Sequence, residues 1–514
     1  YYYAKNAHET LSSQPKEGSS GTRTKENLGM DAETILRIRP TLTQYLHEFD
    51  GCMGRVTNRR HLETYVAGQL SDLQRKSIEP MADAAGQSPR TLQEFLSMLR
   101  WDEGAMRDRL QRRVAHRHAH PHSVGILDET SFGKQGEHTA CVQRQYCGSR
   151  GKLDNCVVAV HLGYVAGDFH TLLDGELFLP PKTWPHDRDR CRAAGIPNEV
   201  VYRPKWQMAL TQVKRALSNG VRFAWLTFDE GYGGKPPFLR GLEGLGQNYV
   251  AEIPVDFRVW TKPPEVMYRE HARDRCDGRP RKLPRLKVRN TSACEVRNVL
   301  VHSPKLRRRC WVRYRVKEGE KGPMVWEAKC LPVWIKDENG LPVGPYHLLI
   351  ARNALKPGEV KFFLSNAPEG MPVETLLLVA FSRWRIERLF EDTKDELGMD
   401  HFEVRRYVSI QRHLILTCVS HLFLAEFRLG HGGKKRRPDH PPTADGDQNV
   451  GSSVDSGPEV LAETGGNDRG AIDRNARAQR RRPPIAPQAN HPTITRVWHQ
   501  AERRTHMPLA KKIA

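Results

Sequence analysis

The sequence predicts an α/β protein: a mixed sheet interrupted by a β-rich insertion and preceded by an N-terminal helical domain. Three observations predict it. Residues 31–120 carry apolar residues at three- and four-residue spacing with few strand signals. Residues 123–255 switch to apolar strand runs separated by Gly and charged turns. A helical pattern returns at 373–428, after a strand-rich, basic stretch at 256–370.

Taken in order, residues 1–30 are polar, and the first Met is Met30. They read as a disordered leader that need not belong to the native product. In the helical domain, 31–120, the segments IRPTLTQYLHEF, HLETYVAGQLSDL and PRTLQEFLSML are amphipathic. Within it, Ala82, Gly86 and Leu92 have helix-turn-helix spacing: a small residue for close crossing, a turn glycine, an inward Leu. Ser88 is placed to cap the second helix, with Pro89 at its first position. Arg90 and Gln93 then point outward as candidate DNA readers. A plain helical hairpin has the same spacing.

The next unit, 121–428, starts with the strand runs SVGILDETSF, ACVQRQYC, NCVVAVHLGYV and DFHTLLDGELFLP. A helix closed by Asn-Gly follows, then the strand RFAWLTFDEGYGG, another helix near 237–245, and the strand NYVAEIPV. Strands in sequence, then helix, strand, helix, strand, is the order of a ribonuclease-H-like mixed sheet. Residues 256–370 read as a β-rich insertion, with CWVRYRV, MVWEAKCLPVWI, the turn ENG, YHLLIAR and VKFFLSN. Residues 429–514 read as a disordered basic tail, rich in Gly, Pro, Asp, Ser and Arg.

Composition narrows the partner. The chain of 514 residues has a formal net charge of +21 and a pI near 9.6. Basic residues cluster at 107–118, 269–289, 306–316, 404–412 and 434–437 rather than in one tail. Distributed basicity favours an extended polyanion, DNA or RNA, over a basic tail on an unrelated enzyme. The ten cysteines contain no C-x-x-C pair, which argues against a zinc ribbon and a disulfide framework. A reducing cytosol is the expected setting, with Cys156, Cys330 and Cys418 as ordinary buried residues. LILTCVSHLFLAEF (414–427) is short for a membrane span and holds His421 and Glu426, so it reads as a buried helix and no membrane partner is expected. His116, His118, His120 and His122 alternate without a nearby Cys and read as a polar connector more than a metal tract.

Three acids stand out by context. Asp128 closes the apolar run GILDET, and Asp229 closes AWLTFDEGYG. Glu387 lies in the helix RWRIERLFEDTK (383–394), where Ile386, Leu389, Phe390 and Thr393 form a core stripe. At 100° per residue, Arg383, Glu387 and Lys394 fall within roughly 40° of one another. Each acid alone has an ordinary reading: a strand-end cap, a turn, an i,i+4 ion pair with Arg383. Together, carboxylates converging at one sheet edge are hard oxygen ligands. They suit Mg²⁺, two ions of which serve in-line displacement at phosphorus.

RWRIERLFEDTK resembles the signature of bacterial insertion-sequence DDE transposases in which Tyr, Arg, Glu and Lys follow at fixed intervals. Arg383, Glu387 and Lys394 match the last three, and Ala380 stands where the family has Tyr. GILDETSFGKQG and LTFDEGYG are similar to the two Asp motifs, and VQRQYCGSRGKLDNC to the stretch between them. The resemblance spans about residues 40 to 425 and implies a set of roles. Asp128, Asp229 and Glu387 would be the catalytic metal ligands for Mg²⁺, with Mn²⁺ as a substitute. Arg383 and Lys394 would hold DNA phosphates, and Arg405 and Arg406 would contact the DNA backbone. The implied function is cut-and-paste transposition on double-stranded DNA (terminal inverted repeats and target). A homodimer would act on the bacterial nucleoid, in the cytoplasm. The alternatives are a cleavage-inactive transposase remnant that only binds DNA and a ribonuclease-H-like structure-specific nuclease. Intact acids count against the first. The insertion and the basic partners of Glu387 count against the second.

Overall fold

The computed structural model describes residues 32–268, 283–288, 290–319 and 322–431. The leader at 1–30, nearly all of the 429–514 tail, most of the basic cluster at 269–289 and the cluster at 434–437 lie outside the described residues.

Helices come first: α1 Ala32–His47, α2 Asp50–Met53, α3 Val56–Leu70, α4 Ile78–Ala84, α5 Pro89–Ser97 and α6 Glu103–Arg117. The turn between α4 and α5 follows the spacing argument. Ala82 and Leu92 are fully buried, and Gly86 turns the chain at φ +64, where a side chain would be strained. Ser88 sits at the cap position with extended backbone, but its side chain makes no capping hydrogen bond. The turn is closed by backbone instead, with the Gln87 amide donating to the Ala82 carbonyl at 2.9 Å.

The sheet is built from β1 Val124–Gly133, β2 Gln143–Cys147, β3 Lys152–Ala166, β4 Phe169–Leu177, β5 Trp225–Phe228 and β6 Tyr249–Ile253. Four more strands follow: β7 Val312–Gly319, β8 Gly322–Lys336, β9 Pro342–Asn353 and β10 Val360–Ser365. β1 pairs antiparallel with β3 and parallel with β5, and β5 pairs parallel with β6. β4 continues antiparallel on β3. This is the ribonuclease-H-like mixed sheet. The insertion strands extend that same sheet, because β10 docks antiparallel on β6 and β9, β8 and β7 follow outward. The stretch before them is less strand-like than its sequence suggests. It contributes two short helices, Val296–His302 and Pro304–Arg308, and pairs of two-residue strands.

Helices α7 Arg188–Ala193 and α8 Lys205–Ser218 lead into β5, and α9 Glu230–Gly233 and α10 Pro236–Glu243 link β5 to β6. After the insertion come α11 Val373–Phe381 and α12 Trp384–Glu391, then a π-helical turn at Asp392–Glu396, and finally α13 Tyr407–His431. α13 is longer than its sequence reading allowed, and by length and composition it could cross a membrane, yet 78% of its most apolar stretch is buried inside the protein. It lies between the N-terminal helices and β4. Polar residues in it are paired across that junction: Tyr65 Oη to His413 Nδ1 at 2.8 Å, and Gln69 to Thr417 and Ser420 at 2.9 and 2.8 Å. The helical segment and the sheet therefore share one hydrophobic core.

Several basic residues serve this fold rather than a polyanion. Arg412 donates to the carbonyls of Leu96, in the last turn of α5, and of Leu99 and Trp101 beyond it. Arg113 is paired with Glu48 and Glu426. His118 also binds Glu426, at 3.0 Å, and stacks on Phe169, so the alternating histidines end a helix and turn the chain into β1. Cys156 and Cys418 are buried as expected. Cys330 is only partly buried, on β8.

Candidate active site

Asp128 does not close its strand: β1 runs five residues beyond it. What ends at this point is the pairing with β5, whose last partners are Leu127 and Phe228. Asp128 on β1 and Asp229 just past the end of β5 are the next residues, and the chains diverge there. That is the edge where open α/β sheets present ligand groups. Asp229 has a second task, since its carboxylate accepts from the amides of Gly231 and Tyr232 and caps α9. The close seat of α9 on β6 requires glycine at 233, because a Cβ there would lie 1.9 Å from the Glu252 carbonyl oxygen.

The helix α12 brings the remaining groups. Ile386, Leu389, Phe390 and Thr393 are all buried, and they seat the helix over Gly163 of β3. A Cβ at 163 would meet Ile386 Cδ1 at 2.8 Å and Leu389 Cδ1 at 3.0 Å. Arg383, just before α12, reaches Asp128 Oδ2 at 3.2 Å, Glu252 Oε2 at 3.7 Å and Glu387 Oε1 at 4.0 Å. One guanidinium thus sits among three carboxylates. Glu252 was missed by sequence reasoning, and the signal was an acid within the apolar run NYVAEIPV. It is held in turn by Lys361 at 2.7 Å. Glu129, also missed, faces Lys205 and receives the Tyr232 hydroxyl at 3.4 Å.

Glu387 itself is 68% exposed. Arg383 stands between its carboxylate and that of Asp128. Lys394 lies within the π-helical turn that follows α12. The π-helical turn has a wider hydrogen-bond period than the α-helix and shifts the helix phase. Lys394 lies over Phe132, with Nζ 5.8 Å from the ring centroid. Phe132 is four residues past Asp128, about 13 Å along the strand. Burial holds the Lys394 ammonium below its ordinary range.

The candidate DNA readers lie elsewhere. Gln93, Arg405 and Arg406 line a groove of about 240 Å³ between α5 and the segment leading into α13. Arg405 and Arg406 are exposed. Arg90 is exposed as well, and donates to Glu94 at 2.8 Å.

The electrostatics fit a divalent cation. Burial, together with the charge of Asp229 beside it, pushes the Asp128 carboxyl up to about 7. Asp229 is raised by burial and by Glu129. Like charges held together at a buried edge favour either a proton or a metal. The sign follows. A carboxyl raised above its unfolded value near 4 favours the folded state only while protonated, so its contribution is lost as pH rises through about 4 to 7. A bound cation must displace that proton. Affinity for Mg²⁺ or Mn²⁺, measured by calorimetry, is expected to rise about tenfold per unit between pH 5 and 7 and to level off above.

Comparison with known proteins agrees with this chemistry. The sequence profile described as DDE superfamily endonuclease matches residues 48–323, more than half of the chain. The match includes Asp128 and Asp229 and stops short of Glu387. A probable transposase for insertion sequence element IS701 from Microchaete diplosiphon is 32% identical over 209 residues, 40% of this chain. The chain spans half the length of that relative. Matched over more than half its length, the protein belongs to the DDE superfamily endonuclease family.

Proposed function

We propose that the protein is a transposase. In this reading it binds the ends of its own insertion element, cuts DNA strands with a divalent metal, and joins the freed 3′-hydroxyl to target DNA by a cut-and-paste route. The observation that carries this reading is Asp128 and Asp229 each next after the last paired residues of the parallel β1 and β5, with Glu387 linked to Asp128 through Arg383.

Asp128, Asp229 and Glu387 would hold the cation, two Mg²⁺ by preference and Mn²⁺ in substitution. Bound there, such ions supply an activated water or 3′-hydroxyl and stabilise the leaving oxygen. The chain's own groups do the rest. The Arg383 fork, now shared among carboxylates, suits a phosphate bidentately and would exchange partners as DNA enters. Glu252 keeps that guanidinium at the edge. Lys394, further along β1, holds the strand leading away from the scissile bond. Arg405, Arg406 and Gln93 form a second DNA contact around their groove, and the acting species is a homodimer on double-stranded DNA. A second reading, a remnant that holds DNA without cutting it, is favoured by the exposure of Glu387.

The experiment is Mg²⁺-dependent cleavage of DNA carrying the element's own ends, by wild type and Glu387→Gln. Cleavage lost in the variant supports the transposase. Equal cleavage removes Glu387 from the site. Binding without cleavage by either selects the remnant. Replacing Arg90 and Gln93 together with Ala is expected to weaken binding to those ends by about 1–3 kcal/mol per lost base contact. Binding to scrambled DNA should change little, and an equal loss on both would move sequence reading to another surface.

A further inference from the structure

We propose that His170, Asp392 and His421 form a structural metal site of the zinc class, separate from the carboxylates at the sheet edge. Each offers a ligand atom, and the three atoms lie within 4.8 Å of one another. They come from three elements: the start of β4, the first residue of the π-helical turn, and the middle of α13. His421 is buried, and the side chains of His170 and Asp392 are only 14% and 19% exposed.

The geometry is poor for an ion pair and good for a shared ion. His170 Nε2 stands 3.6 Å from Asp392 Oδ2, beyond a charge-assisted hydrogen bond of about 2.7–2.9 Å. It is close to the roughly 3.4 Å edge of a tetrahedron with zinc–ligand bonds of about 2.0–2.1 Å. With Nε2 turned toward Asp392, His170 Nδ1 is a buried ring nitrogen without a hydrogen-bond partner, so His170 has no outer contact to orient it. The other two side chains are held from outside the cluster. Arg388 Nε donates to Asp392 Oδ1 at 2.9 Å, leaving Oδ2 turned toward His170. His421 Nδ1 lies 3.3 Å from Thr171 Oγ1. Such outer contacts orient metal ligands. Two imidazoles and one carboxylate select Zn²⁺, or Co²⁺ as its spectroscopic stand-in, over the all-oxygen preference of Mg²⁺.

The cluster is distinct from the edge site. Val165 pairs with both Val124 and His170, so it sits beside the start of β1, four residues or about 13 Å before Asp128. Its consequence is mechanical. Asp392 follows Glu387 by five residues, so an ion here would tie α12 to β4 and α13 and hold the π-helical turn in register.

The test uses the full chain carrying Asp128→Asn and Glu387→Gln, which weakens the carboxylate site and keeps this proposal independent of the proposed function. Chelator-stripped protein is titrated with Co²⁺ and then Zn²⁺. The expected result is one equivalent of Co²⁺ with the intense visible bands of a four-coordinate site, displaced by Zn²⁺, and a Zn²⁺-dependent rise in Tm. Adding His170→Gln or Asp392→Asn should lower affinity by more than about 100-fold. Arg388→Gln, which disturbs only an outer contact, should lower it about tenfold. Weak octahedral-type bands, no tight equivalent in the parent, or unchanged binding in both ligand variants would overturn the site and leave an ordinary His170–Asp392 ion pair. The parent titration stands even where a ligand variant fails to fold.

Discussion

Asp128→Asn is expected to reduce strand cleavage at least about 10³-fold while leaving DNA binding within a few-fold of wild type. Asn keeps the shape of the side chain and removes the charge that holds a cation. The fold should not suffer. The native carboxyl is already pushed up to about 7 by burial and by Asp229, so the charged form is the strained one. A neutral amide relieves that repulsion at the cost of one Arg383 contact at 3.2 Å. Tm above pH 7, in the absence of metal, should therefore be unchanged or higher. Activity lost with stability kept is the mark of a site residue rather than a packing residue. Groups that act as a unit do not add, so Asp128→Asn combined with Glu387→Gln should be little worse than either alone. A Tm drop of many degrees in Asp128→Asn would instead make Asp128 a structural partner of Arg383.

Asp174→Ala is expected to cost about 3–5 kcal/mol of stability, the range for breaking a buried ion pair by removing one partner. Asp174 is fully buried on β4. Its two oxygens are shared between Arg107 of α6, at 2.9 Å, and Arg215 of α8, at 2.6 Å. One oxygen also accepts from the Gly175 amide at 2.8 Å. The variant would leave the Arg107 guanidinium, 11% exposed, uncompensated beneath the helix. Denaturant unfolding measures the loss. Replacing all three residues together with apolar groups should recover much of it, because the desolvation of all three charges disappears with them. A loss below about 1 kcal/mol would show that water reaches these arginines freely.

The sequence by itself determined the periodic part of this protein. Switches between three-to-four and alternating spacing placed the helical segment, the mixed sheet and the returning helices, because burial of one face imposes that period on any chain. It also singled out Asp128 and Asp229, since an acid at the end of an apolar run is conspicuous. Only the tertiary structure decided the rest. That Asp128 and Asp229 are neighbours is a matter of register between β1 and β5, which no single strand encodes. The seat of Lys394 over Phe132 lies in a π-helical turn that an ideal 100° wheel does not contain. Glu252 joins the site because β6 lies beside β5, although its own run gave only a weak signal. The basic residues at 107–118 look like a polyanion surface in sequence, yet Arg107 turns inward to the buried Asp174 and Arg113 to Glu48 and Glu426. His170, Asp392 and His421 are more than 200 residues apart at the extremes and share no local pattern. Only the packing of β4, the π-helical turn and α13 brings them within reach of one ion.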